Sequence, residues 1–276
     1  MWERQDTINP REASELEAPL LGRAYLYLLF HKAFGGKPDR AFLDVLLSDA
    51  TLDVVNGYAD DNATMGGLAR FLLDLRQRDE RELVVRVQSE FERYFVGPMA
   101  QPACPYESPY RTNEATLFQA NTEDVRAIYR AHGLLPKGYL HVPDDHVALM
   151  CAFMARLATE TLNTLRAHDL DTMRGLLGQQ ASFVTEHLAN WTPQYALQAR
   201  AERMPVLYPQ LIEAFSAFTL VDDDFLRHCM VWSLGRDSLP DVCKLQLSAT
   251  VREAFMRLDA LDLAGLDDYE LGRISS

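Results

Sequence analysis

The chain is poor in cysteine. Its four, Cys104, Cys151, Cys229 and Cys243, contain no Cys-x-x-Cys pair, and in 276 residues they do not make a disulfide framework. They read as reduced thiols of a cytoplasmic protein. Long apolar runs are also missing: stretches such as Ala24 to Phe30 fall far short of the ~20 residues that cross a bilayer. The opening MWERQDTINP lacks a signal-peptide pattern, so neither secretion nor membrane embedding is expected. No run of Lys or Arg stands against the net charge of −13, which excludes a phosphate-neutralising nucleic-acid surface and favours cationic ligands. There is no Gly-x-x-x-x-Gly-Lys phosphate loop and no Gly-x-Gly-x-x-Gly fingerprint, so no nucleotide cofactor is expected. Strand-like alternation, internal repeats and low-complexity linkers are absent too.

Helical patterning takes their place, with 48% hydrophobic residues, enough to bury roughly three quarters of the unfolded surface in one domain or two closely packed lobes. Leu20 to Phe34 is apolar around most of its circumference and stops at Gly35-Gly36, which predicts a central helix with a glycine cap. Pro38 and Asp39 open a helix to about Ser48; Ala63 to Arg78 and Arg81 to Phe95 are amphipathic, and Asn56 to Gly67 reads as loop. Thr122 caps a helix stopping at Gly133. Pro143, with Asp144, Asp145 and His146, is expected in the first turn of a long helix carrying Leu149, Met150, Phe153, Met154 and Leu157. Another helix begins at Asp169 or Asp171 and runs to Trp191, where Pro193 ends it. Asp222 to Gly235 and Leu239 to Leu263 are two further helical patterns.

One segment breaks this rhythm. YFVGPMAQPACPYESPY, Tyr94 to Tyr110, holds Pro98, Pro102, Pro105 and Pro109, which excludes helix and central strand and makes it an ordered loop. Tyr94, Phe95, Tyr106 and Tyr110 give it apolar surface for docking, and Glu107 is its single carboxylate. Two later segments stand out: VPDDHVALMCAFMARL, Val142 to Leu157, and FVTEHLANWTPQY, Phe183 to Tyr195, in which Phe183, His187, Leu188 and Trp191 share a helical face.

In order and spacing, Tyr94 to Pro98, Pro105 to Tyr110, Pro143 to Met154 and His187 to Pro193 resemble the motifs of the TorD/DmsD family of cytoplasmic chaperones that help assemble molybdenum-containing oxidoreductases. Cys104-Pro105-Tyr106 departs from the family's two prolines and tryptophan, and Val142 stands where an acidic residue is common. The resemblance implies an all-α, single globular multi-helix domain over 1–220; the helical patterns beyond the matched region make the chain longer than compact members of the family and are expected as a C-terminal helical extension over 221–276 packed on the same domain. It implies a non-enzymatic chaperone, present as a monomer or domain-swapped dimer; some members are associated with guanine nucleotide or the molybdenum cofactor, but neither maps onto residues here, and no cofactor or metal is expected. Its partner would be a molybdoenzyme catalytic subunit precursor with its twin-arginine leader.

The resemblance also names a leader-binding set, Tyr106, Glu107, Asp145 and His146. Glu107 and Asp145 would accept charge-assisted hydrogen bonds from guanidinium groups, Tyr106 would stack on arginine, and His146 would orient Asp145 or touch peptide backbone. Phe95, Gly97, Pro98, Pro105, Ser108, Tyr110 and Trp191 would support them. The residues alone also allow local roles, with Asp145 complementing the helix dipole and Glu107 satisfying loop amides. Two rivals stand beside this reading. His168-Asp169, with His132, His141, Asp144 and Asp145, could serve a helical metal-dependent phosphohydrolase, and the same groove could serve a general adaptor without leader recognition.

Overall fold

A computed structural model describes residues 8, 10–60, 62–78, 80–96, 101–112, 120–139, 141–201, 205–235 and 245–274. The axis of the fold is α1 (Pro10–Gly35), whose every residue from Pro19 to Gly35 is buried, as a helix apolar on all sides must be. It begins well before the expected Leu20. Pro19 removes one amide from the ladder, but Leu16, a turn earlier, is itself buried and holds the first turns in place. α1 packs most extensively along α8 (Val147–Arg166), which lies on α9 (Leu170–His187); α9 meets α11 (Tyr208–Ser233), and α11 carries α10 (Thr192–Ala199).

The segment expected as one helix from Asp39 to Ser48 is shorter, and Ser48 belongs to the next. Asp39 caps α2 (Arg40–Leu46) by accepting from Phe42 N at 2.8 Å, and Ser48 caps α3 (Asp49–Gly57) by accepting from Thr51 N. Asn62 caps α4 (Ala63–Arg76), so the presumed loop from Asn56 contains a helix end and a helix start. α5 (Glu80–Phe91) passes into a π-helical turn, Glu92–Val96, that carries Tyr94 and Phe95. Pro193 does not stop α9: that helix ends at His187, and Pro193 lies in the first turn of α10, where a missing N–H costs nothing.

α11 is held at both ends of its core segment by buried acids and their partners. At its start Glu90 accepts from Val206 N (2.8 Å), Leu207 N (2.6 Å) and Tyr208 N (3.0 Å), placing a carboxylate on the orphan amides and positive dipole end of the helix. Further along, Asp222 receives a bidentate Arg23 guanidinium from α1 and the Tyr27 hydroxyl at 2.6 Å. Gln180 of α9 accepts from the same guanidinium at 3.0 Å and donates to Thr161 of α8 at 2.7 Å. The boundary expected at 220/221 falls inside α11, which runs through it unbroken.

α12 (Thr250–Asp259) rests against α1, α2 and α3, and Lys32 caps its C-terminal end through Asp259 O and Leu261 O. A 3-10 turn (Leu266–Tyr269) and strand β2 (Leu271–Arg273) follow; β2 pairs antiparallel with β1 (Leu134–Pro136), Leu134 opposite Arg273 and Pro136 opposite Leu271. This strap lies close enough that a Cβ on Gly36 would sit 2.5 Å from Leu263 and one on Gly138 2.7 Å from the Asp268 carbonyl. The two short strands form the only sheet among the described residues of an otherwise all-α protein.

Candidate functional site

The proline-rich segment docks on the start of α8. It is not loop throughout, as expected: Tyr94 and Phe95 lie in the π-helical turn, and Pro109 and Tyr110 lie in the short helix α6 (Ser108–Thr112), where proline in the first turn forfeits no helical hydrogen bond. Tyr106 and His146 form an antiparallel bridge, Glu107 N donates to Asp145 O (3.2 Å), and Val147 N donates to Pro105 O (2.8 Å). Pro143 to His146 are therefore not the first helical turn, as expected, but the extended approach to it. The cap is His146, whose Nδ1 accepts from Ala148 N at 3.1 Å. This fixes the tautomer: the proton of the neutral ring is on Nε2. Burial pushes the His146 pKa down to about 3.

Asp144 and Asp145 serve neighbouring segments instead of the α8 dipole. Asp144 takes a two-pronged ion pair from Arg126 of α7 (Ala120–Ala131), Nε at 2.9 Å and Nη2 at 2.7 Å. Asp145 accepts from Ser108 N (2.9 Å), the Ser108 hydroxyl and the Thr122 hydroxyl (3.0 Å), so it fastens both the loop and α7 to the entry of α8. Asp145→Ala is expected to lower unfolding free energy by about 2–3 kcal/mol, since a buried amide and two hydroxyls lose their charged acceptor. Urea unfolding measures this; a loss within about 0.5 kcal/mol would remove Asp145 from the fastening role.

Glu107 reaches the third motif. Its Oε2 lies 3.0 Å from His187 Nδ1 on α9, while Oε1 has no hydrogen-bond partner among the described residues and meets Arg111 Nη1 at 3.9 Å. Burial raises the Glu107 pKa against the opposing pull of His187. His187 O accepts from Trp191 Nε1 (2.6 Å), and Tyr110 stacks on Trp191 with ring centroids 5.3 Å apart. The Tyr110 hydroxyl donates to Cys104 O at 2.9 Å. Phe95 is buried beside Phe34, Phe91 and Tyr208.

Three segments far apart in sequence thus meet at one junction. Glu107, Asp145 and His146 are each 0% exposed and only Tyr106 of the four reaches partial exposure, so the buried three shape the junction from within. Tyr269 of the strap covers His146, ring centroids 4.5 Å apart, and Tyr106 meets the ring edge-on at 4.9 Å. Gly97 and Pro98 lie outside the described residues. Sequence reading missed Thr122's tie to Asp145, Arg126 and Tyr269, since no local pattern marks a partner that arrives from another element.

The metal-site residues do not assemble. Asp169 caps α9 by accepting from Thr172 N, His168 holds the left-handed turn before it (φ 58°), and Asp144 and Asp145 are engaged as above. No group of three or more His, Cys, Asp or Glu able to hold a metal occurs among the described residues. Cys104, Cys151 and Cys229 form no disulfide, and Cys243 lies outside the described residues. No described helix is long and apolar enough to cross a membrane.

Comparison with known proteins agrees with the motif geometry. The family model described as nitrate reductase delta subunit matches residues 57–196, a span containing the loop, the α8 entry and the His187–Trp191 pair. The chaperone protein TorD of Vibrio vulnificus strain YJ016 is 24% identical over 208 residues, covering 74% of this chain and 94% of its own. TorD of Vibrio cholerae El Tor Inaba N16961 is 26% identical over 179 residues, covering 64% and 77%. TorD of Photobacterium profundum is 25% identical over 152 residues, covering 55% and 68%. No solved structure matches. The chain belongs to the TorD/DmsD family of redox-enzyme maturation chaperones, a family of binding proteins and not of enzymes.

Proposed function

We propose that this chaperone binds the twin-arginine leader, the apo form, or both, of the catalytic subunit of a molybdenum-containing oxidoreductase in the cytoplasm. Binding assists cofactor insertion and holds the client back from premature export. The observation that carries the reading is the convergence of three family motifs on one junction, in a chain whose net charge is −13. A surface of that sign attracts a basic leader. Tyr106 is the member of the expected set positioned to touch a ligand, while Glu107, Asp145 and His146 position the loop that presents it. Its action is thermodynamic: holding a partly folded client lowers the population that aggregates or leaves early, and release follows when the loaded client loses affinity.

A tagged pull-down from the native host grown anaerobically, read by mass spectrometry, tests this. Recovery of a molybdoenzyme catalytic subunit with its leader intact is expected. Recovery of unrelated proteins only, with that enzyme expressed, would replace the reading by a general adaptor.

A further inference from the structure

The small sheet has one blunted edge and one open edge. Lys137 N donates to Glu270 O and Ile274 N donates to Gly133 O, each at 2.8 Å. With Leu135 opposite Gly272, the alternation of an antiparallel ladder places Leu134–Arg273 and Pro136–Leu271 at its non-hydrogen-bonded positions. Leu271 and Arg273 therefore turn their N–H and C=O groups away from β1, and neither finds a backbone partner there among the described residues. The far edge of β1 contains Pro136 and lies against α7, whereas that of β2 carries no proline. Between its two open residues stands Gly272, whose φ is not positive and whose Cβ would meet only Lys137 Cγ at 3.8 Å and Leu135 O at 3.9 Å. A strand glycine with no such need marks a place where another backbone can approach closely.

Glu270 and Leu271 line a cleft of about 350 Å³ to which β1 contributes nothing, so the cleft lies on the open side of β2. His31 of α1, the small Ala152 and Ala155 of α8 and Phe255 of α12 complete its apolar and polar lining. Ala152, Phe255 and Leu271 are all partly exposed, so apolar surface reaches the opening. His31 is 5% exposed, and burial keeps its ring neutral. Its Nδ1 donates to Ala148 O at 3.1 Å, which leaves Nε2 as an acceptor with no partner among the described residues. The cations of the cleft are engaged: Lys32 donates to Asp259 O and Leu261 O, and Arg156 lies 3.9 Å from Glu160. Asp259, exposed and without an ion pair among the described residues, leaves the rim negative.

We propose that β2 takes a third strand, a short extended segment of a partner chain in which small side chains flank one Lys or Arg. Its backbone pairs with Leu271 and Arg273, and main-chain hydrogen bonds supply the affinity. Ala152 and Ala155 leave room for its small side chains, while Asp259 and Glu160 select the basic one. α1, α12 and β2 lie outside residues 57–196, so this surface is independent of the motifs that carry the leader-binding reading. An edge that offers two residues is also too short for the long apolar segment of a leader.

The test is amide NMR of the isotopically labelled full chain, titrated with the capped peptide Val-Ala-Arg-Ala-Val. In the free protein the Leu271 and Arg273 amides are expected to exchange quickly with solvent; with peptide they should shift and slow by more than about tenfold, while Gly272, already paired with Leu135, changes little. The same peptide N-methylated on alternate amides is expected to bind about tenfold more weakly, and one with Glu for Arg about fivefold more weakly. Arg273→Pro deletes an N–H that the ladder does not use and is expected to cost about tenfold in affinity with Gly272 still protected. If that variant disturbs the strand and exposes Gly272, the N-methylated peptide on wild type decides alone. Unmoved Leu271 and Arg273 amides at millimolar peptide, equal binding of the N-methylated peptide, or binding retained within about twofold by a well-folded Arg273→Pro would each overturn the proposal. Protection of both amides without peptide that vanishes on dilution would give the edge to a second copy of the chain, and would overturn it too. A peptide of two adjacent arginines followed by an apolar segment is expected to leave both amides unmoved, wherever else it binds; if it moves them and the pentapeptide does not, the edge belongs to leader recognition and the proposal falls.

Discussion

Asp222→Ala is expected to lower unfolding free energy by about 3–5 kcal/mol, the cost of leaving one partner of a buried ion pair alone. Arg23 and Asp222 are each 1% exposed, and the carboxylate takes the guanidinium on two oxygens and the Tyr27 hydroxyl on one. Its removal leaves a permanent positive charge inside α1, with Gln180 Oε1 and the Phe225 ring 5.4 Å away as its remaining company. Burial opposes the Arg23 charge, and in the wild type the neighbouring Asp222 outweighs it and holds the pKa above its ordinary value; the variant loses that support, yet a guanidinium does not shed its proton at working pH, so the charge stays buried. Urea unfolding of Asp222→Ala, Arg23→Met and the double substitution closes the cycle. The double variant should be less destabilised than the sum of the singles. Strict additivity, or a single loss below about 1 kcal/mol, would mean that the pair does not tie α1 to α11.

Acid is expected to destabilise the fold through two buried imidazoles. Burial lowers His31 to about 4 and His146 to about 3, whereas both titrate near 6.5 in the unfolded chain. Between those values the unfolded state binds more protons than the folded one, so stability is full above about 6.5 and falls as pH drops toward the folded values. At pH 5 each imidazole accounts for roughly 2 kcal/mol, at 1.36 kcal/mol per pH unit. Glu107, raised by burial, works the other way: its folded state holds the proton more tightly than the unfolded chain, which trims the acid loss above about 4.5. His146→Asn keeps a good helix cap and removes one titration. Comparing urea midpoints at pH 7.5 and 5 isolates it: the variant should lose roughly 2 kcal/mol less than wild type, and identical pH dependence in the two would exclude His146 as a source.

The helical class, the burial of α1 and its stop at Gly35 were legible from apolar spacing, as were the caps Asp39 and Asp169. Proline was harder. Pro193 read as a break, yet it lies in the first turn of α10, and the helix expected from Leu20 in fact runs back through Pro19, because local preference yields where flanking residues are buried. Asp144 and Asp145 fitted a dipole role by position, and only the arrival of Arg126, Ser108 and Thr122 from other elements decides otherwise. Arg23 and Glu90 were invisible for the same reason: a lone charge in an apolar pattern does not announce a partner more than a hundred positions away. Of the junction, the motifs could be read in order, but the pairing of Glu107 with His187 could not.

The strap has a consequence for the order in which the protein is made. Tyr269 covers His146, and Leu263, Leu266 and Asp268 fit against Gly36, Gly35 and Gly138. On the ribosome, the loop, α7, α8 and α9 emerge and can associate while residues 263–274 are still untranslated. The nascent chaperone therefore presents an uncovered His146 ring and an unpaired β1 edge, and both close only when synthesis reaches the strap. That last step joins segments of very large sequence separation and should be among the slowest in maturation of the chain.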